Sequence, residues 1–550
     1  MNKKQARVIL LLSLTAFVLA FMITNRAWFR LDLTRNRAFT ISEVSRNLHR
    51  EITDQVRITY FISDRLRQTY PTPGEISDLI REFAAHSRGT IRFVERDPAR
   101  ANLIREVEEL GIVPHQIQVP ERAGFSVATV YSGILIEYLD REAVMPVVFS
   151  LDTLEYDLTS RIRALVRNTE RNVGIIVADA HRQLFGEFSL LHRELLLSGF
   201  RLVLISPDDF IPPTLQALIV LGGAEDLGFE QLYRIDRFIM EGGNVLFAVD
   251  GINVDVRGDF QARAVLDQGL LAMIANYGAV IRRGLVLDES SLSFTFQRQD
   301  GGGTVVETVR YPHWISVQYQ SANPYHPVTA SFLGLDLFWP SPIELSPQQG
   351  VSAEVLFTSS PRAWLQTENF ITNPNLLHLF QEEMEETLGT RILGVSLSGI
   401  FPSAFEFFTI EDFYEMGFLP GPGGRLTGAL AASRMIVVAD TDFAGDLMQV
   451  NRGEGRNLDF LIRAVEWLSN DEDIVAIRGR GGSAGRLDRI TDPNRRAAAM
   501  LFSRTVNTII VPLLVISLGF IICLRRRAKT SSPQRNSPES ASKKGESSAV

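Results

Sequence analysis

Carboxylates placed just after apolar runs are the residues best suited to chemistry in this sequence. Asp250 follows the run 245–249, Asp288 follows the short run 285–287 that ends the expected strand 280–287, and Asp440, Asp442 and Asp446 follow 435–439 in the string ADTDFAGD. The carboxyl ends of strands in open α/β sheets are where ligands bind. Two carboxyl groups about 5 to 10 Å apart around a cleft would do acid and base work on a glycan or peptide. ADTDFAGD also resembles the start of a calcium loop. Ala444 and Asn451, however, stand where a side-chain oxygen and a bidentate Glu are wanted. The competing use of such Asp residues is to cap the next turn or order a loop.

Other chemistries lack their residues. An ATPase needs a GxxxxGK[ST] phosphate cradle, and no such string occurs. GPGGRLTG (421–428) and RGRGGSAG (478–485) are Gly-rich but read as loops, because neither joins a buried strand to a helix. The single cysteine, Cys523, excludes an intramolecular disulfide, a CxxC pair and a multi-cysteine metal site. It lies in an apolar terminal run, which removes the thiolate elbow of an amidotransferase. The residues from Gly394 to Ser398 lack the last Gly of a GxSxG elbow. His181, His192, His313 and His326 form no HExxH-like pair. With 56 Lys plus Arg against 64 Asp plus Glu, the net charge of -8 offers no general field for nucleic acid. No catalytic, cofactor or metal residue is therefore assigned.

These residues must be positioned by a chain of 550 residues, room for about three domains. Residues 8–23 and 506–524 carry no charge and contain eleven and thirteen Leu, Ile, Val or Phe residues. At mid-bilayer these contribute about -3 to -7 and about -4 to -8 kcal/mol respectively, so both runs read as transmembrane helices, the first extending over 8–28. A cleaved signal peptide is the alternative for the first run, given Lys3, Lys4 and Arg7 ahead of it. Two spans put both ends on one side. Arg525, Arg526, Arg527 and Lys529 favour the cytoplasm for those ends, leaving the large middle region outside it. The tail 528–550 lacks core-forming side chains and reads as disordered.

The fold expected is α/β and membrane-anchored. Residues 30–170 run strand 56–62, helix 74–86, strand 91–95, helix 101–110, strands near 117, 133–139 and 144–149, and helix 154–166. This βαβαβββα order suits a thioredoxin-like unit without redox cysteines. Residues 171–490 alternate strands 173–178, 202–206, 217–222, 245–249 and 280–287 with helices 188–197, 229–240 and 264–277, implying a parallel sheet. An insertion rich in Pro and aromatic residues is expected at 291–345. Strands 353–358, 391–398 and 435–439 and helices 376–388 and 458–468 then resume the sheet.

RLDLTRNRAFTISE outside the first span, LEYDLTSRI (154–162), IDRFIMEGGNVLFAVDG (235–251), YGAVIRRGLVLD (277–288), VVADTDFAGD (437–446) and NLDFLIRAVEWLSND (457–471) occur in order over nearly the whole chain. With the RRR-terminated last helix, the set resembles the GldG-type auxiliary components of ABC transport systems, first associated with gliding motility. The resemblance implies a membrane-anchored external subunit working with a separate permease and a separate ATPase subunit in the bacterial cytoplasmic membrane. It also implies a flavodoxin- or amidotransferase-like sheet domain without catalytic machinery. Asp32, Thr34, Glu155, Asp250, Asp288, Asp440 and Asp442 fall on motif positions, and the resemblance gives them no chemical role. Two alternatives stand beside it: an envelope hydrolase using the strand-end carboxylates, and a passive scaffold or glycan binder whose Trp314, Tyr319, Tyr325 and Trp339 stack on ligands.

Overall fold

The computed structural model describes residues 41–469 except 88, 122–123, 150, 152, 168–170, 257–259, 301–302, 331, 375–386, 419–425 and 452–453. Beyond these it describes Leu513, Ile516, Ser517, Gly519 and Ile521. Segment 8–28, Asp32, Thr34, nearly all of the expected helix 376–388, most of GPGGRLTG, RGRGGSAG and the tail lie outside the described residues. So does most of 506–524, whose five described residues are helical. Among the described residues no helix is long and apolar enough to cross a membrane.

The first layer begins with α1 (Glu43–Glu51), where the Ser42 hydroxyl accepts from Ser45 N at 3.1 Å and caps the helix. Glu43 in its first turn and Arg50 in its last complement the helix dipole. There follow β1 (Val56–Ile62), α2 (Asp64–Thr69), α3 (Thr72–His86), β2 (Ile91–Arg96) and α4 (Ile104–Glu109). The layer closes with β3 (His115–Glu121), β4 (Gly124–Val130), β5 (Ser132–Tyr138), β6 (Arg141–Met145) and α5 (Leu154–Arg167). The sheet order is β2-β1-β5-β6, with β1 and β2 parallel and β5 antiparallel to β1 and β6. Ile80 and Phe83 of α3 and Leu158 and Ile162 of α5 are buried with Ile58 and Ile136 in one core. β3 is the strand expected near 117, and β4, which pairs with it as a hairpin, is an addition to the expected order. The run GFSVATV pairs with residues 115–121 in a separate two-stranded sheet, while its Ala128 and Val130 are buried in the same core as Ile58 and Ile136.

The second layer contains β7 (Asn172–Val177), α6 (Leu184–Glu187), α7 (Ser189–Leu197), β8 (Arg201–Leu204), β9 (Ala217–Leu221), α8 (Phe229–Met240) and β10 (Val245–Ala248). Next come β11 (Ile252–Val254), β12 (Ala262–Ala264), α9 (Leu270–Tyr277), β13 (Ala279–Ile281) and β14 (Leu285–Asp288). The remaining strands are β15 (Ser291–Asp300), β16 (Gly303–Val317), β17 (Leu335–Phe338), β18 (Ile343–Leu345), β19 (Val351–Thr358), β20 (Ala363–Gln366), β21 (Ile392–Gly399) and β22 (Ser433–Val438). Helices α10 (Ile410–Glu415) and α11 (Glu454–Leu468) flank β22 in the chain.

The main sheet runs β13-β18-β21-β22-β10-β9-β7-β8, with β19 also paired to β21. From β22 to β8 the strands are parallel. β9 (ALIVL) and β10 (VLFA) are buried throughout, as strands covered on both faces must be. The expectation of a parallel sheet holds only for this half. β21 is antiparallel to both β22 and β19, and β19 leaves Ser352, Ala353 and Glu354 exposed at the edge. Antiparallel pairs tolerate a solvated face and need no covering crossover helix.

Three further boundaries differ from the sequence reading. The expected strand 280–287 is two strands, β13 and β14, broken at Arg282–Gly284 and paired in different sheets. The expected helix 264–277 starts at Leu270, because Asp267 accepts from Gly269 N and Leu271 N, and Gly269 has φ +126°. Residues 291–338 contain a three-stranded sheet, β15-β16-β17, while Ile343–Leu345 rejoins the main sheet.

Candidate functional site

The parallel half of the sheet delivers four chain turns to one rim, after β7, β9, β10 and β22. They surround a cleft of about 720 Å3. After β7, Asp179 and Arg182 face it; after β9, Gly222 and Gly223; after β10, Asp250; after β22, Asp442.

Arg182 holds the rim together. Its Nε lies 3.2 Å from Asp179 Oδ2 and its Nη1 donates to Asp442 Oδ1 at 2.7 Å. Asp179 Oδ1 also accepts from Gly223 N at 2.8 Å. The approach is close enough to require glycine: a Cβ on Gly222, which has φ +71°, would stand 2.3 Å from Asp179 Oδ1. Arg182 thus bridges loops 260 residues apart in sequence.

Asp250 Oδ1 accepts from Thr441 N at 2.7 Å, and the Thr441 hydroxyl donates to Ala248 O, so β10 and β22 are tied where they reach the cleft. Burial, then the neighbouring Asp442 charge, pushes the Asp250 carboxyl up to about 7, against the opposing pull of Arg182. Burial also raises Asp179 and, further still, Asp440. Burial alone would lower Arg182, but Asp442, Asp250 and Asp179 outweigh it and raise the guanidinium. At the outer edge Arg263 pairs with Glu225, whose carboxyl is held down at about 2 chiefly by those hydrogen bonds.

Of the motif positions, Asp250 and Asp442 line the cleft together. Asp440 is wholly buried behind them: Oδ2 accepts from Phe338 N at 2.6 Å and Oδ1 from Asp442 N at 2.8 Å and Phe443 N at 3.2 Å. It caps the turn after β22. Asp446 accepts from Leu190 N and the Ser189 hydroxyl at the start of α7. The three ADTDFAGD carboxylates are therefore engaged by separate sets of internal partners, and among the described residues no group of three or more His, Cys, Asp or Glu is placed to hold a metal ion. Asp288 lies apart from the cleft, accepting from Ser290 N, Ser360 N and the Ser360 hydroxyl. Glu155 is in the first layer, accepting from Ser42 N and the Ser45 hydroxyl, both at 2.7 Å.

Asp179, Arg182, Gly222, Gly223, Glu225 and Arg263 are absent from the motif positions. Asp179 sits just past an apolar strand as Asp250 does, so the same reading applied to the strand 173–178 finds it. Arg182 carries no such signal, because its role depends on a loop contact with Asp442. Gly394 to Ser398 form part of β21, as expected of a strand rather than an elbow. Trp314 is buried among Tyr311, Phe338 and Trp339 and is not presented to a ligand; Trp339, though nearly buried, lines the cleft, and Tyr319 and Tyr325 are exposed away from it.

Residues 170–470, which carry this cleft, match the family described as "ABC-type uncharacterized transport system", the ABC transport auxiliary family. The chain belongs to that family. Residues 35–137 of this auxiliary-family protein match a domain of unknown function, DUF7088. An uncharacterized protein of Borreliella burgdorferi strain B31 is 25% identical over 539 residues, covering 96% of this chain and 99% of that one. Among solved structures, the "mmIFT52 N-terminal domain" matches 54% of this chain and 96% of its own at 10% identity, with a TM-score of 0.30. The exo-beta-1,4-mannosidase Op5Man5 from Opitutaceae bacterium strain TAV5 matches 72% of this chain and 50% of its own at 11% identity, with a TM-score of 0.22.

Proposed function

We propose that this auxiliary-family protein is a non-catalytic, membrane-anchored subunit of a bacterial ABC transport system, of the GldG type associated with gliding motility. It partners a separate permease and a separate ATPase. Segments 8–28 and 506–524 are its transmembrane helices, both ends are cytoplasmic, and the α/β body stands outside the cytoplasm. The observation that carries the reading is the family match over residues 170–470. The missing phosphate cradle supports it, since a transport subunit without one must borrow its ATPase. The uncharged terminal segments support lipid as a direct partner.

Two domains are proposed, 30–170 and 171–490. The β2-β1-β5-β6 order with parallel β1 and β2 supports a thioredoxin-like description of the first. The parallel strands from β22 to β8 support a flavodoxin- or amidotransferase-like description of the second.

A hydrolase is the second reading, favoured by the cleft and by the raised Asp250 carboxyl. It needs two carboxyl groups presented to a substrate. Asp440 is enclosed and bonded to three backbone amides and Asp288 is elsewhere, so of the motif positions Asp250 and Asp442 face the cleft, and Asp442 does so as the ion-pair partner of Arg182. Extraction of membranes expressing the full chain in mild detergent, followed by affinity purification, separates the readings. Copurification of a multi-span permease and an ATPase is expected; a chain that purifies alone and turns over a glycan or peptide overturns it.

A further inference from the structure

Helix α5 collects both chain ends of the described body. Glu155, in its first turn, accepts from Ser42 N and the Ser45 hydroxyl at the very start of α1. The Ser45 hydroxyl is also 2.8 Å from the Thr159 hydroxyl, one turn further along α5. The far end of α1 is fixed to the same helix, because Arg167 pairs with Glu51 through Nε at 2.9 Å and Nη2 at 3.0 Å. α1 is therefore strapped to α5 at both of its ends.

The next residue, Tyr156, points the other way in the chain. Its ring is buried and packs against Val44 of α1, while its hydroxyl donates to Glu466 in the last turn of α11, 310 residues away. Glu466 is fully enclosed, and Asn244 Nδ2 donates to Leu468 O at 2.7 Å, fixing the end of α11 to the main sheet. Further along α5, Arg161 donates to Leu197 O at the end of α7. A buried carboxylate that meets a phenol is expensive to separate, so such a contact holds one arrangement in place.

The geometry points to Glu155 and Tyr156 acting as a clasp that makes the start of α1 and the end of α11 one mechanical unit. Those are the two ends of the body that lead to the apolar segments 8–28 and 506–524. On the proposed anchoring, a displacement delivered through either segment reaches the other through α5 and reaches the cleft-bearing sheet through α11 and α7. Local opening of α1 or α11 away from α5 is read by amide exchange. The clasp is a property of the body, so its test does not depend on the anchoring or on any partner.

The experiment is hydrogen exchange on the full chain in mild detergent, comparing wild type with Tyr156→Phe and Glu155→Ala. Tyr156→Phe keeps the ring against Val44 and removes only the hydroxyl, and Ser45→Ala serves as a milder third variant should Glu155→Ala fold poorly. Each substitution is expected to speed exchange at both α1 and the last turns of α11, by about 5- to 150-fold, with β9 and β10 unchanged. Acceleration confined to α11 in Tyr156→Phe and to α1 in Glu155→Ala overturns the clasp. An equal rise in β9 and β10 also overturns it, since that reports general destabilisation.

Discussion

Replacing Asp250 with Asn has an effect on stability whose sign and size follow from the cleft. Burial, with Asp442 adding to it, moves the carboxyl from 3.8 to about 7. The folded protein then keeps a proton that the unfolded chain has already lost. Stability from this group is complete below the unfolded value, and it declines as pH rises from about 4 to about 7. A pKa unit corresponds to about 1.36 kcal/mol, so the whole interval is worth roughly 4 kcal/mol. Asn keeps an oxygen for the Thr441 amide and has no proton to lose. Asp179 and Asp440 are present in both proteins, so their titration cancels to first order in the difference. Urea unfolding of both chains in the same detergent, at half-unit steps between pH 4 and 8, measures that difference. The Asn variant should gain on wild type by about 4 kcal/mol across the window and level off above it. A difference that does not change with pH, or that grows toward acid, refutes the placement of Asp250.

Gly222→Ala should cost about 2 to 5 kcal/mol, because φ is positive and the new methyl meets Asp179; the midpoint of urea unfolding reads it. Asp440→Ala strips the acceptor from the amides of Phe338, Asp442 and Phe443 and should cost about 3 kcal/mol or more in the same assay. Arg182→Met keeps the stem but leaves Asp179 and Asp442 without their cation. It should lower stability by about 3 kcal/mol near neutral pH, with part of that recovered toward acid as Asp179, whose carboxyl burial already raises, takes up a proton.

The parallel strands were legible because burial on both faces writes itself as unbroken apolar runs, as in ALIVL and VLFA. Asp250 and Asp442 were legible for the same reason, since the end of such a run marks the binding rim of the sheet. Asp440 and Asp288 follow the same rule in sequence but serve internal donors, a distinction set by which backbone amides lie opposite. Arg182 stayed hidden because a bridge to Asp442 across 260 residues leaves no periodicity. The antiparallel half was misread because short strands such as β13 and β18 carry too few residues to declare their direction. Glu155 and Tyr156 stood out only as a motif; their joint reach toward Ser42 and Glu466 is a property of the folded chain.

Affinity purification of the full-length protein from detergent-solubilised membranes, with mass spectrometry of what accompanies it, is the most direct measurement of the accessory-subunit account. A multi-span permease and an ATP-hydrolysing subunit should elute with it in constant ratio, and alkaline carbonate should leave the chain in the membrane pellet. Recovery of the intact chain alone, in the soluble fraction, contradicts the account.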